Sequence, residues 1–359
     1  MGLIYDKNTG FYNLEEYIDL SFLDWDTTDP TKNSKYTVSF LNEALGGISS
    51  KSELVVIGAD SGIGKTELVN SLAFENAPDK EVYLFSLEGD RYEVINRQRY
   101  KEYIRMVNTC GLWDLYISYR DFVQGNIPED KKDRIRDEIL SLDEIFKRKY
   151  KNLKIYSREE SLNIQLFEAH LEMISDSADL VIIDHLHYFD FQSRDEYSAI
   201  NDTMKKLKAL QDRFRVPIVL VSHLRKKDKL RVFPDQNDFH GSSNIVKQAD
   251  TVIVLAHVEP QDDEGNGQYE KQVMTEKYQT GIRVCKSRTG FPTRLLGLVD
   301  FDMKTREYAA DYKLAVCGNN YVTMMSENEY PPWSRYYGKY TPRKSQGNVP
   351  DNKLPYRDS

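Results

Sequence analysis

One stretch limits the fold more than any other. Leu54-Val55-Val56-Ile57-Gly58 is a short, uninterrupted apolar run of the kind a fully buried strand carries, and Thr66 to Asn76 follows with helical spacing. Between them lies Ala59-Asp60-Ser61-Gly62-Ile63-Gly64-Lys65-Thr66. A glycine-rich turn that leaves a strand and opens a helix is the context of a phosphate-binding loop. Gly62 and Gly64 let backbone N–H groups turn toward phosphate oxygens, and the helix N-terminus adds a favourable dipole. Lys65 is then expected to reach the β- and γ-phosphates, and the Thr66 hydroxyl to ligate Mg²⁺. The candidate nucleotide-binding set is Ala59, Asp60, Ser61, Gly62, Ile63, Gly64, Lys65, Thr66 and Glu67, with ATP and Mg²⁺ as the expected cofactors.

Further apolar runs repeat the strand–helix alternation. Glu81–Ser86, Leu180–Asp184, Pro217–Ser222, Thr251–Ala256 and Ile282–Lys286 read as strands, and Ser198–Phe214 reads as a helix with Ile200, Met204, Leu207 and Leu210 near one face. Near-continuous apolar strands separated by helices predict an α/β fold, a mainly parallel twisted sheet flanked by helices. Residues 36–312 form this core. Residues 1–35 read as a linker or docking segment, with Asn13–Leu23 a short amphipathic helix. Residues 125–160 are strongly charged and read as a solvated helix and its following edge. Residues 313–359, rich in Asn, Pro, Tyr, Lys and Arg, read as a flexible tail.

Four further positions complete the chemistry. Asp184 ends an apolar strand, where a carboxylate can hold Mg²⁺. Glu88 follows a second strand end, where a carboxylate can activate water. His223 ends the 217–222 strand and can sense the γ-phosphate. Arg225, Lys226, Lys227, Lys229 and Arg231 follow it directly, a cluster able to neutralise nucleic-acid phosphates; a solvated surface is the plainer reading of such a run. Lys286 and Arg288 are two apart at a strand end and can serve as a finger that stabilises γ-phosphate charge in a neighbouring copy, or as an ordinary surface pair. His185-x-His187 raises a zinc site, but no third ligand follows at suitable spacing.

The net charge of -8 gives no global basic field. The three cysteines lack metal-ligand spacing, which favours a reducing cytoplasm over a disulfide scaffold. No run approaches the ~20 apolar residues of a membrane span.

The order of these motifs resembles the RecA-like P-loop NTPase core of the DnaB-type replicative helicase family, across about residues 36–310. FLNEALGGISSKSELVVIGADSGIGKTELVNSLAFENA at 40–77 is similar to the family's entry, and FSLEGD at 85–90 to the strand bearing its catalytic Glu. VIIDHLHYF at 181–189 is similar to its Walker B strand, and VSHLRKKDK at 221–229 to its γ-phosphate sensor, which is His in phage members. DFHGSSNIVKQADTVIVL at 238–255 resembles its DNA-loop segment, with His240 where many members carry Arg, followed by Gly241 and Ser242. CKSRTG at 285–290 is similar to its Lys-x-Arg finger. No primase-like region precedes the core in this sequence. The resemblance implies an ATP-dependent helicase or translocase on single-stranded DNA, working as a ring, a hexamer in this family, with replication proteins as partners. Two other functions share the core. One is a recombination or repair ATPase that binds DNA without unwinding it, and the other a regulatory ATPase with a protein partner.

Overall fold

The structure, a computed structural model, describes residues 5–6, 11–12, 30–50, 52–59, 62–157, 161–191, 195–225, 233–239, 243–257, 277–288, 290–291, 293–318 and 321–337. Among these residues the centre is an eleven-stranded sheet. In chain order the strands are β1 (Leu54–Ala59), β2 (Val82–Ser86), β3 (Leu153–Ser157), β4 (Leu180–Asp184), β5 (Ile218–His223), β6 (Thr251–His257), β7 (Lys277–Ser287), β8 (Leu295–Asp302), β9 (Glu307–Tyr308), β10 (Lys313–Cys317) and β11 (Val322–Met324). Across the sheet they run β3-β2-β4-β5-β1-β6-β7-β8-β10-β11, with β9 paired to β8. The six strands from β3 to β6 are parallel; from β6 onward every pairing is antiparallel.

Side-chain alternation along each strand feeds two faces. Val55 and Ile57 join Leu84 and Ile182 under Leu68, Val69 and Leu72 of α2 (Lys65–Asn76), along with Phe40 and Leu41 of α1 (Ser39–Leu45). Leu54, Val56, Val181, Ile183 and Leu220 face the other way. They lie against Phe167 and Leu171 of α6 (Ile164–Ile174), and against Ile200, Met204 and Leu207 of α7 (Glu196–Phe214). The expected α/β architecture and its mainly parallel half are therefore present.

Between β2 and β4 the chain builds a small helical lobe from α3 (Arg91–Thr109), α4 (Tyr119–Gln124) and α5 (Lys132–Lys149). Tyr100, Tyr103, Ile104 and Val107 of α3 pack with Leu115, Ile117 and Ile135 as a separate core. Ile135 is the sole buried residue of α5, so the charged run is a solvated helix, and β3 is the sheet edge that follows it.

The flexible tail expected from residue 313 is corrected for residues 313–337. β10 pairs with β8, and Leu314, Ala315 and Cys317 are buried. Tyr312, Trp333 and Phe40 pack their rings together, and Tyr312 Oη and Ser334 Oγ lie 2.8 Å apart. Aromatic residues that looked like loop composition are anchors for the last strands. The predicted 13–23 helix and residues 338–359 lie outside the described residues.

Candidate active site

The C-terminal ends of the parallel strands bring most of the expected groups together. After β1 the backbone takes positive φ at Gly62 (83°) and Gly64 (88°), conformations that an L side chain resists. Gly64 caps α2, whose first residue is Lys65. Asp60 and Ser61 lie outside the described residues. Ile63 packs against the core, and Thr66 is half-buried at the helix start.

The buried Lys65 ammonium reaches two strand ends. It lies 3.6 Å from Glu88 Oε2 and donates to His223 Nδ1 at 3.4 Å. Burial lowers its pKa, against the raising pull of Asp184 and Glu88. Asp184 is also buried, and desolvation pushes its carboxyl up to about 6, with Lys65 opposing and Glu88 reinforcing the rise. Its Oδ1 is buried without a hydrogen bond. An orphaned carboxylate oxygen near a helix that opens with a threonine hydroxyl is a hard-oxygen donor set, and it fits Mg²⁺. Glu88 is 39% exposed and open to a water molecule. The Asp184 carbonyl accepts from Leu87 N at 2.7 Å and Glu88 N at 3.2 Å, which ties the two carboxylate positions through backbone.

The sheet splits beneath this cluster. β2 stays paired with β4 up to Ser86 and Asp184, and β1 with β5 up to Ala59 and His223. Between β4 and β5, pairing covers Val181–Ile183 with Ile218–Leu220 and stops. Glu88 and Asp184 therefore sit on one side of a seam, and Lys65 and His223 on the other.

Two neighbours of the cluster escaped the sequence reading. His185 projects into it, its ring centroid 4.2 Å from that of His223. Its position directly after Asp184 was the available signal. His257, at the end of β6, hydrogen-bonds the Gly62 backbone. Glu67 is corrected as a nucleotide ligand. Its buried carboxylate is held by Arg97 and Lys101 of α3 and by Arg306 after β8, with Lys101 Nζ 3.2 Å away. Those cations overcome desolvation and hold its pKa at about 2. An anion so committed anchors α2 and has no proton to offer a phosphate.

Lys286 and Arg288 lie elsewhere. β7 pairs Lys286 with Val252 at the start of β6, and β6 pairs Thr251 with Val55 at the start of β1. They occupy the opposite edge of the sheet from Lys65, about 15 Å away by strand rise. Lys286 Nζ donates to the carbonyls of Val246, Lys247 and Ala249 at the end of α8 (Ser243–Gln248). Arg288 pairs with Asp250 at 2.9 Å and is 60% exposed.

Arg225 is exposed, and its N–H donates to Asp238 O at 2.6 Å. Leu224 bridges to Phe239, so the segment after His223 touches the one approaching residue 240. Gly58 makes that contact possible, since a Cβ there would lie 2.6 Å from Phe239 and 2.7 Å from Leu224. Lys226, Lys227, Lys229, Arg231, His240, Gly241 and Ser242 lie outside the described residues. Among the described residues, no helix is long and apolar enough to cross a membrane.

The chain superposes on the ATPase domain of a phage helicase with a TM-score of 0.62 at 16% identity, covering 83% of this chain and 98% of that one. A DnaB-like replicative helicase, solved in a study of its interactions with primase, gives 0.58 at 17% identity, covering 80% and 66%. No curated protein matches. The family model for the DnaB-like helicase C-terminal domain matches residues 35–310, about three-quarters of the chain, and the protein belongs to that family.

Proposed function

We propose that this protein is an ATP-dependent helicase that self-associates into a ring and translocates on single-stranded DNA. The observation that carries the reading is the placement of two half-sites at opposite edges of one sheet. Lys65, Glu88, Asp184 and His223 gather at one edge, while Arg288 is exposed at the other. A single chain cannot fold these edges onto each other, whereas adjacent copies in a ring complete the site.

Within the site, Lys65 and the backbone of 62–64 take the phosphates, and Lys65 leaves Glu88 to do so. Thr66 and Asp184 hold Mg²⁺, which neutralises developing charge between the β- and γ-phosphates. Glu88, released, accepts the proton of the attacking water. His223 contacts the γ-phosphate and passes its presence through Leu224 and Phe239 to the segments beginning at Arg225 and His240. Arg288 of a neighbouring copy stabilises the transferred phosphoryl group. Lys286, capping α8 in its own subunit, holds the strand that presents Arg288.

The test is strand displacement on a forked DNA with ATP, run beside Glu88→Gln. Unwinding by the wild type and none by the variant is expected. ATP turnover indifferent to single-stranded DNA at every salt concentration would refute translocation. Filaments in place of rings with ATP would favour the recombination class.

A further inference from the structure

Glu88, His185 and His223 come from three separate segments, and a ligand atom from each lies within 4.8 Å of the other two. The linear sequence offered His185-x-His187 without a third partner; the fold supplies two partners from other strand ends. His185 is 1% exposed. Its Nε2 makes no hydrogen bond, yet it faces Glu88 Oε2 at 3.4 Å. Ligands about 2.1 Å from a tetrahedral Zn²⁺ stand about 3.4 Å from one another. The His185–Glu88 pair therefore already has the spacing of two ligands on one ion.

The donor chemistry is selective. Two imidazoles and one carboxylate suit a borderline transition dication, whereas Mg²⁺ prefers oxygen ligands and retained water. The place also accepts positive charge, because the Lys65 ammonium rests 3.6 Å from Glu88 and 3.4 Å from His223. Lysine is a flexible tether, and this one has phosphate as its alternative partner.

We propose that Glu88, His185 and His223 bind one first-row transition dication such as Zn²⁺, separate from the Mg²⁺ position at Thr66 and Asp184, and that the ion arrests hydrolysis. Bound metal displaces Lys65 from the gap and clamps the two sides of the β4–β5 seam together. It also occupies the Glu88 oxygens that would receive the proton from water. The arrest rests on the catalytic reading of Glu88 given above; the binding does not.

The experiment titrates the full-length, nucleotide-free protein with Co²⁺ and follows visible absorption, then adds Zn²⁺. One equivalent of Co²⁺ producing an intense tetrahedral spectrum, bleached by one equivalent of Zn²⁺, is expected. His185→Asn should weaken Zn²⁺ binding by more than the roughly 10–100-fold that follows loss of an outer-shell partner. In wild type, one equivalent of Zn²⁺ in excess Mg²⁺ should lower ATP turnover by about 10-fold, the loss expected when a general base is largely blocked, while His185→Asn turnover stays unchanged by Zn²⁺.

A weak octahedral Co²⁺ spectrum in wild type, or a folded His185→Asn that binds Zn²⁺ as tightly as wild type, overturns the site. Should His185→Asn fail to fold, the more exposed Glu88→Gln takes its place, and retention of the tetrahedral spectrum overturns the site equally. Stoichiometric binding with undiminished turnover overturns the arrest and counts against Glu88 as the base. Absence of binding overturns the site and leaves that role of Glu88 standing.

Discussion

Lys65 and Lys286 stand at opposite ends of the parallel strands and use their ammonium groups differently. Lys65 has two long contacts, to Glu88 and His223, beside an Asp184 oxygen that has no hydrogen bond. Lys286 donates to three carbonyls, one at 2.6 Å, and the adjacent Asp250 binds Leu54 N, Lys208 and Arg288, each at 2.9 Å. One edge is under-satisfied and arranged for an incoming charge. The other edge is saturated, and its exposed group is Arg288. Chemistry and scaffold are thus separated by the length of a strand, although both edges are built from the same residue types.

The strongest break of this contrast is Arg288→Ala. If Arg288 serves a neighbour's site, turnover falls about 1,000-fold with ATP binding retained. Mixing that variant with Lys65→Ala should restore part of the activity, because mixed rings contain some intact junctions. Turnover equal to wild type would make Arg288 part of the saturated scaffold only.

A second prediction concerns acid. Asp184 has a folded pKa near 6, above the range of an unfolded chain, so its contribution to stability is complete at low pH and is lost as pH rises through about 6. The nucleotide-free protein should lose up to roughly 3 kcal/mol from this group between pH 4 and pH 7.5, and Asp184→Asn should flatten that part of the melting profile. Turnover should move the opposite way and fall below pH 6, because Mg²⁺ needs the ionised carboxylate. A melting profile identical in the variant would remove Asp184 as the strained group.

Glu88→Gln should lower turnover about 100-fold and leave nucleotide affinity near wild type. Lys286→Met is the mildest change. It should cost about 2 kcal/mol of stability through the lost charged hydrogen bonds, with turnover per folded ring nearly intact. A Lys286→Met protein that melts like wild type but is inactive would place Lys286 beside Arg288 in the reaction.

The legible part of the molecule was the part made of local signals. β1, β2, β4 and β5 are apolar runs whose last or next residue carries the chemistry, so Lys65, Glu88, Asp184 and His223 could be named before any contact was known. The antiparallel half was hidden because its signals are not local. β10 is five residues long, and its burial depends on β8 and on Phe40, which lies more than 270 residues earlier. The helical lobe was hidden for another reason: the polar surface of α5 dominates its composition, while the core is a set of tyrosines on α3. Glu67 looked like a continuation of the phosphate loop. Its partners, Arg97 and Arg306, are 30 and 239 residues away, and no spacing rule finds them.

The seam between β4 and β5 gives the site a single soft coordinate. On one bank, Glu88 and Asp184 share a carbonyl and cannot drift apart; on the other, Lys65 and His223 ride on paired strands. The width of the gap is then the one variable that a nucleotide can set and that DNA-side segments can read. A pair of spectroscopic labels across it would follow the whole cycle as one distance.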